Sequence, residues 1–443
     1  MNIILLSGGS GKRLWPLSND IRSKQFLKLF HNKEGQYESM LQRVHRQILS
    51  VDSQANITIT TAKSQVPEIL NQIGESVSLC VEPCRRDTFP AIALASSFLK
   101  HEKNLNDNEV VIVSPIDPFV EESYFKAFFD LERIIKEGNA NIGLIGIEPT
   151  YPSEKYGYII PEGSGDVRDV IEFKEKPSKK KAIEYLSAEA LWNGGVVAFR
   201  LGYLLEKTKN MLSYNTYKEL YDKYADLEKI SFDYAVIEKE KELSVLRYQG
   251  EWKDLGTWNT LTEAMQDNQM GEVYTDNKCS NTHIINELDI PIICVGVDNV
   301  VVSASAEGIL VSDKEQSSHI KPIVDNLERQ IMFARKSWGS FKVIEIDEES
   351  MTIKITLNPG SQMNYHSHKY RDEVWTIVSG QGRTIVDGME QLVSTGDVIT
   401  IEAGCKHTLI ANTELKAIEV QIGKEISVYD KQKHRLRAQP IFA

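Results

Sequence analysis

The segment LLSGGSGKRLWPLSNDIRSKQFLKL, residues 5–29, follows a short apolar run and combines three glycines with four basic side chains between residues 12 and 24. Because glycine has no Cβ, the backbone N–H groups of such a loop turn towards a ligand and hold phosphate oxygens. Arginine adds two parallel hydrogen bonds to a phosphate. A tight turn in a polar loop is the alternative, but it does not account for the cations. The segment therefore predicts a buried first strand that ends at a phosphate-binding loop. The basic residues are Lys12, Arg13, Arg22 and Lys24.

Two common phosphate-binding motifs do not fit this loop. A P-loop requires Ser or Thr after its Gly-Lys pair and an earlier glycine, whereas Arg13 and Leu6 occupy those positions. A dinucleotide fingerprint requires a third glycine, and Leu14 stands there. The kind of phosphate compound therefore has to be inferred from the rest of the chain.

The composition predicts a soluble globular protein that does not bind nucleic acid. The chain has 443 residues, more than one ordinary core, so two or three domains are expected. Hydrophobic residues make up 41% and charged residues 26% of the chain, which is typical of globular proteins. The net charge of -12 argues against the broad basic surface that nucleic acid requires.

The expected location is the cytoplasm. No apolar run reaches the ~18 residues of a membrane helix, and the start NIILL has no basic segment before it, unlike a signal peptide. The five cysteines are scattered, and CVEPC has the wrong spacing for a CxxC pair. Reduced thiols are therefore expected.

Strands alternate with helices over the first part of the chain. NITITTA (56–62) and EVVIVSP (109–115) are β-branched runs that end in small or turn residues, and TFPAIALASSFLKHEK (88–103) has apolar residues at helical spacing. This alternation predicts an α/β domain with a mostly parallel sheet. It fades near residue 270, so the first predicted domain is residues 1–270.

Two further regions follow. Residues 271–327 contain short strands and little helix, which predicts a small β-rich segment. From Phe341 the apolar residues alternate with a period of two, and MTIKITL (351–357) places every second side chain on one face. Short strands with glycines at the turns predict a β-barrel or sandwich over residues 328–443.

The last region also carries a candidate metal site. His366 and His368 are two residues apart in YHSHKYRDEVW, so on a strand they point to the same face. Glu373 follows after a turn, and His407 lies further on in EAGCKH. Exposed polar residues on a barrel are the alternative, but three imidazoles and a carboxylate predict binding of Zn²⁺ or another transition metal. Four glycines bracket these residues at the spacing of the two cupin motifs: Gly360, Gly380, Gly396 and Gly404.

Residues 5–29 resemble the signature of sugar-1-phosphate nucleotidyltransferases, and are most similar to that of mannose-1-phosphate guanylyltransferases. Trp15 and the run KQFL point to the guanylyl branch, whereas Ser23 replaces the proline that the family usually has before Lys24. Seven later segments resemble the same family in the correct order. They are VEPCRRDTFPAIALA (81–95), VSPIDPFV (113–120), YGYI (156–159), EFKEKP (172–177), LWNGGVVAF (191–199), SFDYAVIEK (231–239) and WKDLGTW (252–258).

The resemblance implies a Rossmann-like nucleotidyltransferase domain that joins GTP to a sugar 1-phosphate. Asp117 and Asp254 are implied to hold Mg²⁺, while Arg13 and Lys24 act on the phosphates of the transition state. Asp233 is interpreted as a structural partner and is left out. The implied nucleotide-binding residues are Leu6, Gly8, Gly9, Gly11, Lys12, Arg13, Arg86 and Asp87. The implied sugar-binding residues are Gly157, Glu175, Lys176 and Asn193.

The C-terminal region resembles the cupin domain of bifunctional enzymes that also interconvert mannose 6-phosphate and fructose 6-phosphate. KSWGSFKVIE and IEVQIG are similar to their first and last segments, and Arg371 matches their arginine before the metal glutamate. Two features differ: those enzymes commonly have glutamine where His366 stands, and the tail after Gly423 is shorter. Isomerisation therefore stays open, and the sequence does not identify its base.

The sequence as a whole predicts an enzyme that makes GDP-mannose and pyrophosphate from GTP and mannose 1-phosphate, in the supply of cell-surface polysaccharide. Three alternatives remain. Pro118, where the family has His, invites another sugar 1-phosphate such as a heptose; a non-catalytic regulator would bind sugar nucleotide without turnover; and an isomerase would carry a vestigial first domain. The oligomeric state is open, a homo-oligomer included, and no membrane or nucleic-acid partner is expected.

Overall fold

The computed structural model describes residues 1–8, 12–19, 21–138, 140–327, 331–424, 426 and 430–435. The chain forms two compact units. The first contains residues 1–11 and 23–266, and the second contains residues 12–22 and 267–443. None of the described helices combines the length and the apolar character that crossing a bilayer requires. All five cysteines are free thiols, as the sequence predicts.

The first unit is built from strands and helices in alternation. Its described strands are β1 (Asn2–Leu6), β2 (Lys28–His31), β3 (Tyr37–Ser39), β4 (Asn56–Ala62), β5 (Ser78–Glu82), β6 (Val110–Pro115), β7 (Pro118–Val120), β8 (Ile142–Ile147), β9 (Tyr158–Glu162), β10 (Val167–Lys174), β11 (Leu191–Arg200), β12 (Leu243–Tyr248) and β13 (Trp252–Asp254). Its described α-helices are α1 (Met40–Val51), α2 (Val66–Ile73), α3 (Thr88–His101), α4 (Glu122–Glu137), α5 (Lys179–Ser187), α6 (Leu201–Leu212), α7 (Tyr217–Asp222), α8 (Phe232–Ala235) and α9 (Trp258–Thr262).

One large sheet organises this unit, in the strand order β5-β4-β1-β6-β11-β8-β12-β10-β9. The strands from β5 to β6 run parallel, as does β8 with β12. Strand β11 is antiparallel to both β6 and β8, and β9 and β10 form an antiparallel pair. The predicted α/β class is therefore confirmed, but the expectation of a mostly parallel sheet holds only for its first half, and the whole sheet is mixed.

Burial follows from the sequence pattern of each element. All six residues of β8 are buried, as expected for a strand covered on both faces. Helix α3 is buried over most of its length, since apolar or small side chains surround it. Helix α1 is amphipathic instead, and a reciprocal capping box between Ser39 and Gln42 fixes its start.

The second unit is almost entirely β. Its described strands are β14 (Gln269–Met270), β15 (Val273–Thr275), β16 (His283–Asn286), β17 (Ile292–Cys294), β18 (Val300–Ser305), β19 (Gly308–Asp313), β20 (Phe333–Lys336), β21 (Gly339–Ile346), β22 (Ser350–Leu357), β23 (His366–Ser367), β24 (Asp372–Ser379), β25 (Gln381–Val386), β26 (Met389–Ser394), β27 (Val398–Ile401), β28 (His407–Ala411), β29 (Leu415–Ile422) and β30 (Gln432–Lys433). A short helix, α10 (Lys321–Asp325), and a 3-10 turn over Lys12–Leu14 also belong to it.

Two sheets form the C-terminal cupin barrel. One has the order β20-β21-β22-β29-β24-β27, and the other β26-β25-β28-β23-β30. The period-two pattern of MTIKITL is confirmed, because every second side chain from Met351 to Leu357 is buried. These residues pack around Trp375, which is fully buried. The predicted division at residues 270 and 327 stays a prediction, and the assignment of residues 12–22 to the second unit was not anticipated.

Candidate active site and metal centre

Three predicted catalytic residues meet where β6 ends. Asp117 lies two residues beyond β6, and the short strand β7 that follows it pairs antiparallel with β13. In this ladder Asp254 is directly opposite Pro118, a spacing of about 4.5–5.5 Å between Cα atoms. The Lys24 ammonium lies 2.7 Å from Asp117 Oδ2 and donates to the Leu255 carbonyl at 3.4 Å. The fold therefore gathers two carboxylates and one lysine from three distant parts of the sequence.

The charge state of this group suits a magnesium site. Partial desolvation raises the pKa of Asp117, but the neighbouring Lys24 ammonium outweighs it, so the pKa lies below its ordinary value. The Asp117 side chain is still 38% exposed. It is therefore an accessible carboxylate at neutral pH, which is what Mg²⁺ requires of a ligand. Burial, followed by the charge of Asp254, raises the pKa of the nearby Tyr156 phenol, so Tyr156 stays neutral.

A cleft of about 210 Å³ in the first unit holds three of the predicted sugar-binding residues. A Cβ on Gly157 would lie 2.6 Å from Glu175 Oε2 and 3.3 Å from the Cβ of Asn193. Position 157 therefore has to be glycine for these side chains to keep their places. The fourth, Lys176, has its ammonium 2.5 Å from Glu175 Oε1 and is half exposed. The cleft is lined by Leu6, Thr88, Ile92, Val113, Pro115, Lys155, Tyr156, Gly157, Glu175, Asn193, Gly195, Val197, Phe232, Asp233 and Ile237.

Asp233 lines the same cleft, although its sequence context alone leaves it out of the site as a structural partner. Asn193 Nδ2 donates to Asp233 Oδ1 at 2.8 Å. Burial, followed by the charge of Glu175, raises the pKa of Asp233 to about 6. Its place in the segment SFDYAVIEK was the available signal, but a single aspartate is more often a structural partner than a catalyst.

Four of the predicted nucleotide-binding residues lie at the ends of strands or helices of the first unit. Leu6 ends β1 and lines the cleft. Gly8 lies two residues further on, where an added Cβ would have no atom within 4 Å. Asp87 has a φ of 71° and caps α3 by accepting a hydrogen bond from Thr88 N at 2.8 Å. Arg86 Nε is buried and has no hydrogen-bond partner among the described residues.

The remaining predicted nucleotide ligands are not gathered in this cleft. Gly9 and Gly11 lie outside the described residues. Lys12 and Arg13 belong to the second unit, where Lys12 forms an ion pair of 3.0 Å with Asp325. Their role in triphosphate binding therefore stays a prediction from the sequence.

The cupin barrel brings its three predicted histidine ligands together in a buried cluster. His366, His368 and His407 place ligand nitrogens within 4.8 Å of one another. Each Nδ1 contacts a backbone carbonyl: His366 contacts that of Asn364 at 2.5 Å, His368 that of Asp430, and His407 that of Cys405 at 3.0 Å. Such contacts fix the tautomer and make Nε2 the nitrogen that faces a metal, although His368 Nε2 also lies 3.0 Å from the Arg371 guanidinium.

Glu373 completes the set from β24. Its carboxylate oxygens lie 3.1 Å from His368 Nε2 and 3.2 Å from His407 Nε2. His407 Nε2 is buried and makes no well-aligned hydrogen bond within the described part of the chain. Burial lowers the pKa of His366 to about 2 and that of His368 to about 4. Neutral imidazoles, an ionised carboxylate and an orphaned nitrogen fit Zn²⁺ or another transition metal.

Two further ionisable groups near this cluster were missed from the sequence. Glu419 is buried on β29, and its pKa rises to about 8 through desolvation, followed by the charge of Glu373. Desolvation lowers the pKa of Lys431 to about 8. Two carboxylic acids with opposite pKa shifts, Glu373 and Glu419, are the pattern of an acid–base pair.

The fold and these two sites define a nucleotidyltransferase with a C-terminal cupin domain. The nucleotidyl transferase family model matches residues 2–270, and the cupin domain family model matches residues 353–421. The mannose-1-phosphate guanylyltransferase RfbM of Salmonella typhimurium is 30% identical over 95% of this chain and 94% of its own length. The xanthan biosynthesis protein XanB of Xanthomonas campestris pv. campestris is also 30% identical, over 96% of both chains.

A solved structure agrees with these relatives. The crystal structure named mannose-1-phosphate geranyltransferase, from Thermus thermophilus, has a TM-score of 0.62 at 27% identity, over 74% of this chain and 99% of that one. The chain belongs to the mannose-1-phosphate guanylyltransferase family, and it is an enzyme of nucleotidyl transfer.

Proposed function

We propose that this chain transfers GMP from GTP to mannose 1-phosphate and releases pyrophosphate. The observation that carries the proposal is the meeting of Lys24, Asp117 and Asp254 at the end of β6. The name of the Salmonella relative supports the choice of sugar and nucleotide. The name of the Xanthomonas relative supports a use in polysaccharide supply.

The reaction is an in-line attack. A phosphate oxygen of the sugar 1-phosphate bonds to the α-phosphorus of the triphosphate, and the bond to the β-phosphate oxygen breaks. Because the nucleophile is already anionic, the protein has to position the groups and neutralise charge. Lys24 supplies an ammonium beside the phosphates, and Asp117 and Asp254 are the residues that would hold Mg²⁺. When bound, Mg²⁺ supplies positive charge to the phosphate oxygens.

The cleft around Gly157 is proposed to hold the sugar. Glu175, Asn193 and Asp233 present oxygen acceptors for hydroxyl groups, and glycine leaves the space between them open. The two carboxyl groups of this cleft are accompanied by Lys155 in its lining and by Lys176, which is paired with Glu175. The anionic end of the sugar phosphate is therefore expected to point away from the carboxyl groups and towards these lysines.

The direct test is a panel of nucleoside triphosphates and sugar 1-phosphates with Mg²⁺, scored by pyrophosphate release from the full chain. GTP with mannose 1-phosphate should give the highest kcat/KM. A higher kcat/KM with a heptose 1-phosphate would show that the sugar is a heptose and that the proposed reaction type is correct. Absence of pyrophosphate with every pair would overturn the proposal in favour of a binding protein.

A second activity is proposed for the cupin: isomerisation of mannose 6-phosphate to fructose 6-phosphate. The supporting observation is Glu419, a buried carboxyl with a raised pKa beside the histidine cluster. In such a reaction Glu419 would take the proton from C2 and return it to C1. A metal held by the histidines and Glu373 would polarise the sugar oxygens. Fructose 6-phosphate formation by the zinc-loaded full chain, lost in Glu419→Gln, is the expected result, and no formation by the wild type would exclude it.

A further inference from the structure

Residues 12–22, here called the signature segment, are held by the second unit. The chain on either side, up to Gly11 and from Ser23, belongs to the first unit. Ser305 Oγ donates to the Pro16 carbonyl at 2.7 Å. A Cβ on Gly308 would lie 2.6 Å from the ring of Trp15. Since Gly308 also has a φ of 149°, the segment packs on a position where only glycine fits.

Arg22 forms a two-point ion pair between the signature segment and Glu287. Its NH1 and NH2 each donate to one carboxylate oxygen of Glu287, both at 2.7 Å. Its guanidinium also lies 5.9 Å from the centroid of the Phe333 ring. Both ends of the arginine fork are used by a protein carboxylate, so Arg22 serves to anchor the segment and not to bind phosphate.

Glu307 joins the signature segment to the start of the cupin. Its Oε1 accepts hydrogen bonds from Asn19 Nδ2 at 2.9 Å, Met332 N at 3.1 Å and Phe333 N at 3.2 Å. Asn19 in turn accepts from the backbone N–H groups of Ile21 and Arg22, at 2.9 and 2.7 Å. One carboxylate oxygen therefore links the turn of the segment to the beginning of β20.

Polar contacts add to the anchoring that the buried side chains of Leu14 and Leu17 provide. A cavity of about 260 Å³ lies among the residues of these polar contacts, so apolar packing is incomplete there. Loss of one hydrogen-bonded carboxylate is then not compensated by a packed core. The cavity is lined by Leu17, Asn19, Arg22, Glu287, Ser305, Ala306, Glu307, Phe333, Arg335 and Lys342.

We propose that Glu287 and Glu307 are positioning residues for nucleotidyl transfer. They fix the conformation of the signature segment, which carries Lys12 and Arg13. The β-rich segment in this way determines the conformation of a stretch of chain that the sequence predicts to bind the triphosphate. The identity of the ligand, a nucleoside triphosphate, rests on the proposed function. The anchoring of the signature segment by Glu287 and Glu307 does not depend on that function.

The kinetic test uses the full chain with GTP, mannose 1-phosphate and Mg²⁺. Glu287→Gln and Glu307→Ala should each raise KM for GTP about five- to tenfold with a smaller change in kcat, because the segment is displaced while the reacting groups are retained. Glu307→Gln keeps the accepting oxygen and should restore KM to near the wild-type value. Equal KM values for wild type, Glu287→Gln and Glu307→Ala would overturn the proposal.

A matched control lies two residues from Glu287. Asp289 also forms an ion pair, of 3.3 Å, but with Lys342 outside the signature segment, and its side chain is 96% exposed. Asp289→Asn should change KM by less than about 1.5-fold, because exposed ion pairs contribute little. An equal KM increase in Asp289→Asn and Glu287→Gln would indicate a general charge effect and count against positioning.

A second measurement separates this proposal from the proposed function. Hydrogen exchange of wild type and variants, without substrates, reports on peptides that cover residues 12–22. Glu287→Gln and Glu307→Ala should exchange faster there, whereas Asp289→Asn should match the wild type. Faster exchange in a chain that fails to use GTP would refute the proposed substrates but keep the anchoring. Unchanged exchange in both anchor variants would refute the anchoring.

Discussion

Among the described residues at the end of β6, Lys24 contacts the Asp117 carboxylate and the Leu255 carbonyl. Asp117 is one predicted magnesium ligand, and Leu255 follows the other, Asp254, in the chain. In the absence of substrate, Lys24 therefore compensates the charge of Asp117. When a triphosphate binds, its phosphates compete with the Asp117 carboxylate for the Lys24 ammonium. A modest rearrangement of the flexible Lys24 side chain then prepares the site.

Asp254→Asn tests the magnesium role at this site. The substitution keeps size and shape but removes the charge that Mg²⁺ requires, so we expect kcat for pyrophosphate release to fall about 10²–10³-fold. The melting temperature should not change. Asp130→Asn is a suitable control because Asp130 is half exposed on α4, and it should keep full activity. Normal turnover by Asp254→Asn would favour a different set of magnesium ligands.

Asp233→Asn should stabilise the protein and weaken sugar binding. Burial raises the pKa of Asp233 to about 6, so its ionised form destabilises the folded state above that pH, and the penalty disappears as pH falls towards the unfolded value. With allowance for solvent screening, asparagine should add about 1–2 kcal/mol at pH 7–8. The gain should shrink between pH 7 and pH 5 in urea unfolding. A constant gain across that range would show that the pKa of Asp233 is not raised in the folded state, because the folded and unfolded states would then bind the same number of protons.

At the level of single residues, the order of the family-like segments along the chain identified candidate site residues. The burial of individual side chains could not be predicted from the sequence. Asp117, Asp254 and Glu175 were selected because they stand in segments that resemble a family in the correct order. Asp233 was left out as a structural partner and Glu419 was not considered, because the sequence does not show which carboxyl groups are buried. Their importance follows from desolvation and from the second carboxylate beside each, which only the folded chain reveals.

At the level of elements, local sequence patterns predicted where strands lie better than they predicted which strands pair with one another. NITITTA (56–62) coincides with β4, and the alternation in MTIKITL coincides with the buried face of β22. The mixed character of the main sheet was not predicted. It arises because β11 inserts antiparallel between β6 and β8, and such long-range pairing leaves no signal in either strand.

Asp87→Asn is expected to improve nucleotide binding through helix α3. Asp87 has a φ of 71° and caps α3, and asparagine tolerates this conformation while keeping an oxygen acceptor. Removal of one negative charge near the predicted triphosphate should lower KM for GTP about two- to threefold. The gain should diminish at high salt. Asp87→Ala loses the cap and should cost about 1 kcal/mol in unfolding free energy. An unchanged KM in Asp87→Asn would place the triphosphate elsewhere.

At the level of the whole molecule, the chain crosses between its two units within the signature itself. When a chain is divided into domains by changes in its sequence composition, each domain is a continuous stretch. Such a division cannot predict that residues 12–22 belong to the second unit. The crossing depends on Arg22 contacting Glu287 and on Asn19 contacting Glu307, residues more than 260 positions apart in the sequence. The segment that resembles the family most closely therefore depends for its conformation on residues that the resemblance does not single out.

The two predicted metal sites differ in chemistry, and this difference gives a test on the intact protein. Asp117 and Asp254 offer only oxygen ligands, which hold Mg²⁺ weakly and share it with phosphates. The cupin offers three buried imidazoles and a carboxylate, which hold Zn²⁺ or a similar ion tightly. We expect the purified full chain to retain about one equivalent of transition metal after desalting. Nucleotidyl transfer under the same conditions should require added Mg²⁺.

Substitution of one histidine separates the two sites. His366→Ala should lose the retained metal, as measured by elemental analysis, because it removes a ligand whose Nδ1 is held by the Asn364 carbonyl. His319→Ala, at an exposed position in the second unit, should retain it. Both variants should transfer GMP at wild-type rates when Mg²⁺ is saturating, since oxygen ligands alone serve that reaction. Transfer without added Mg²⁺, or metal retained by His366→Ala, would contradict this assignment of the two ions.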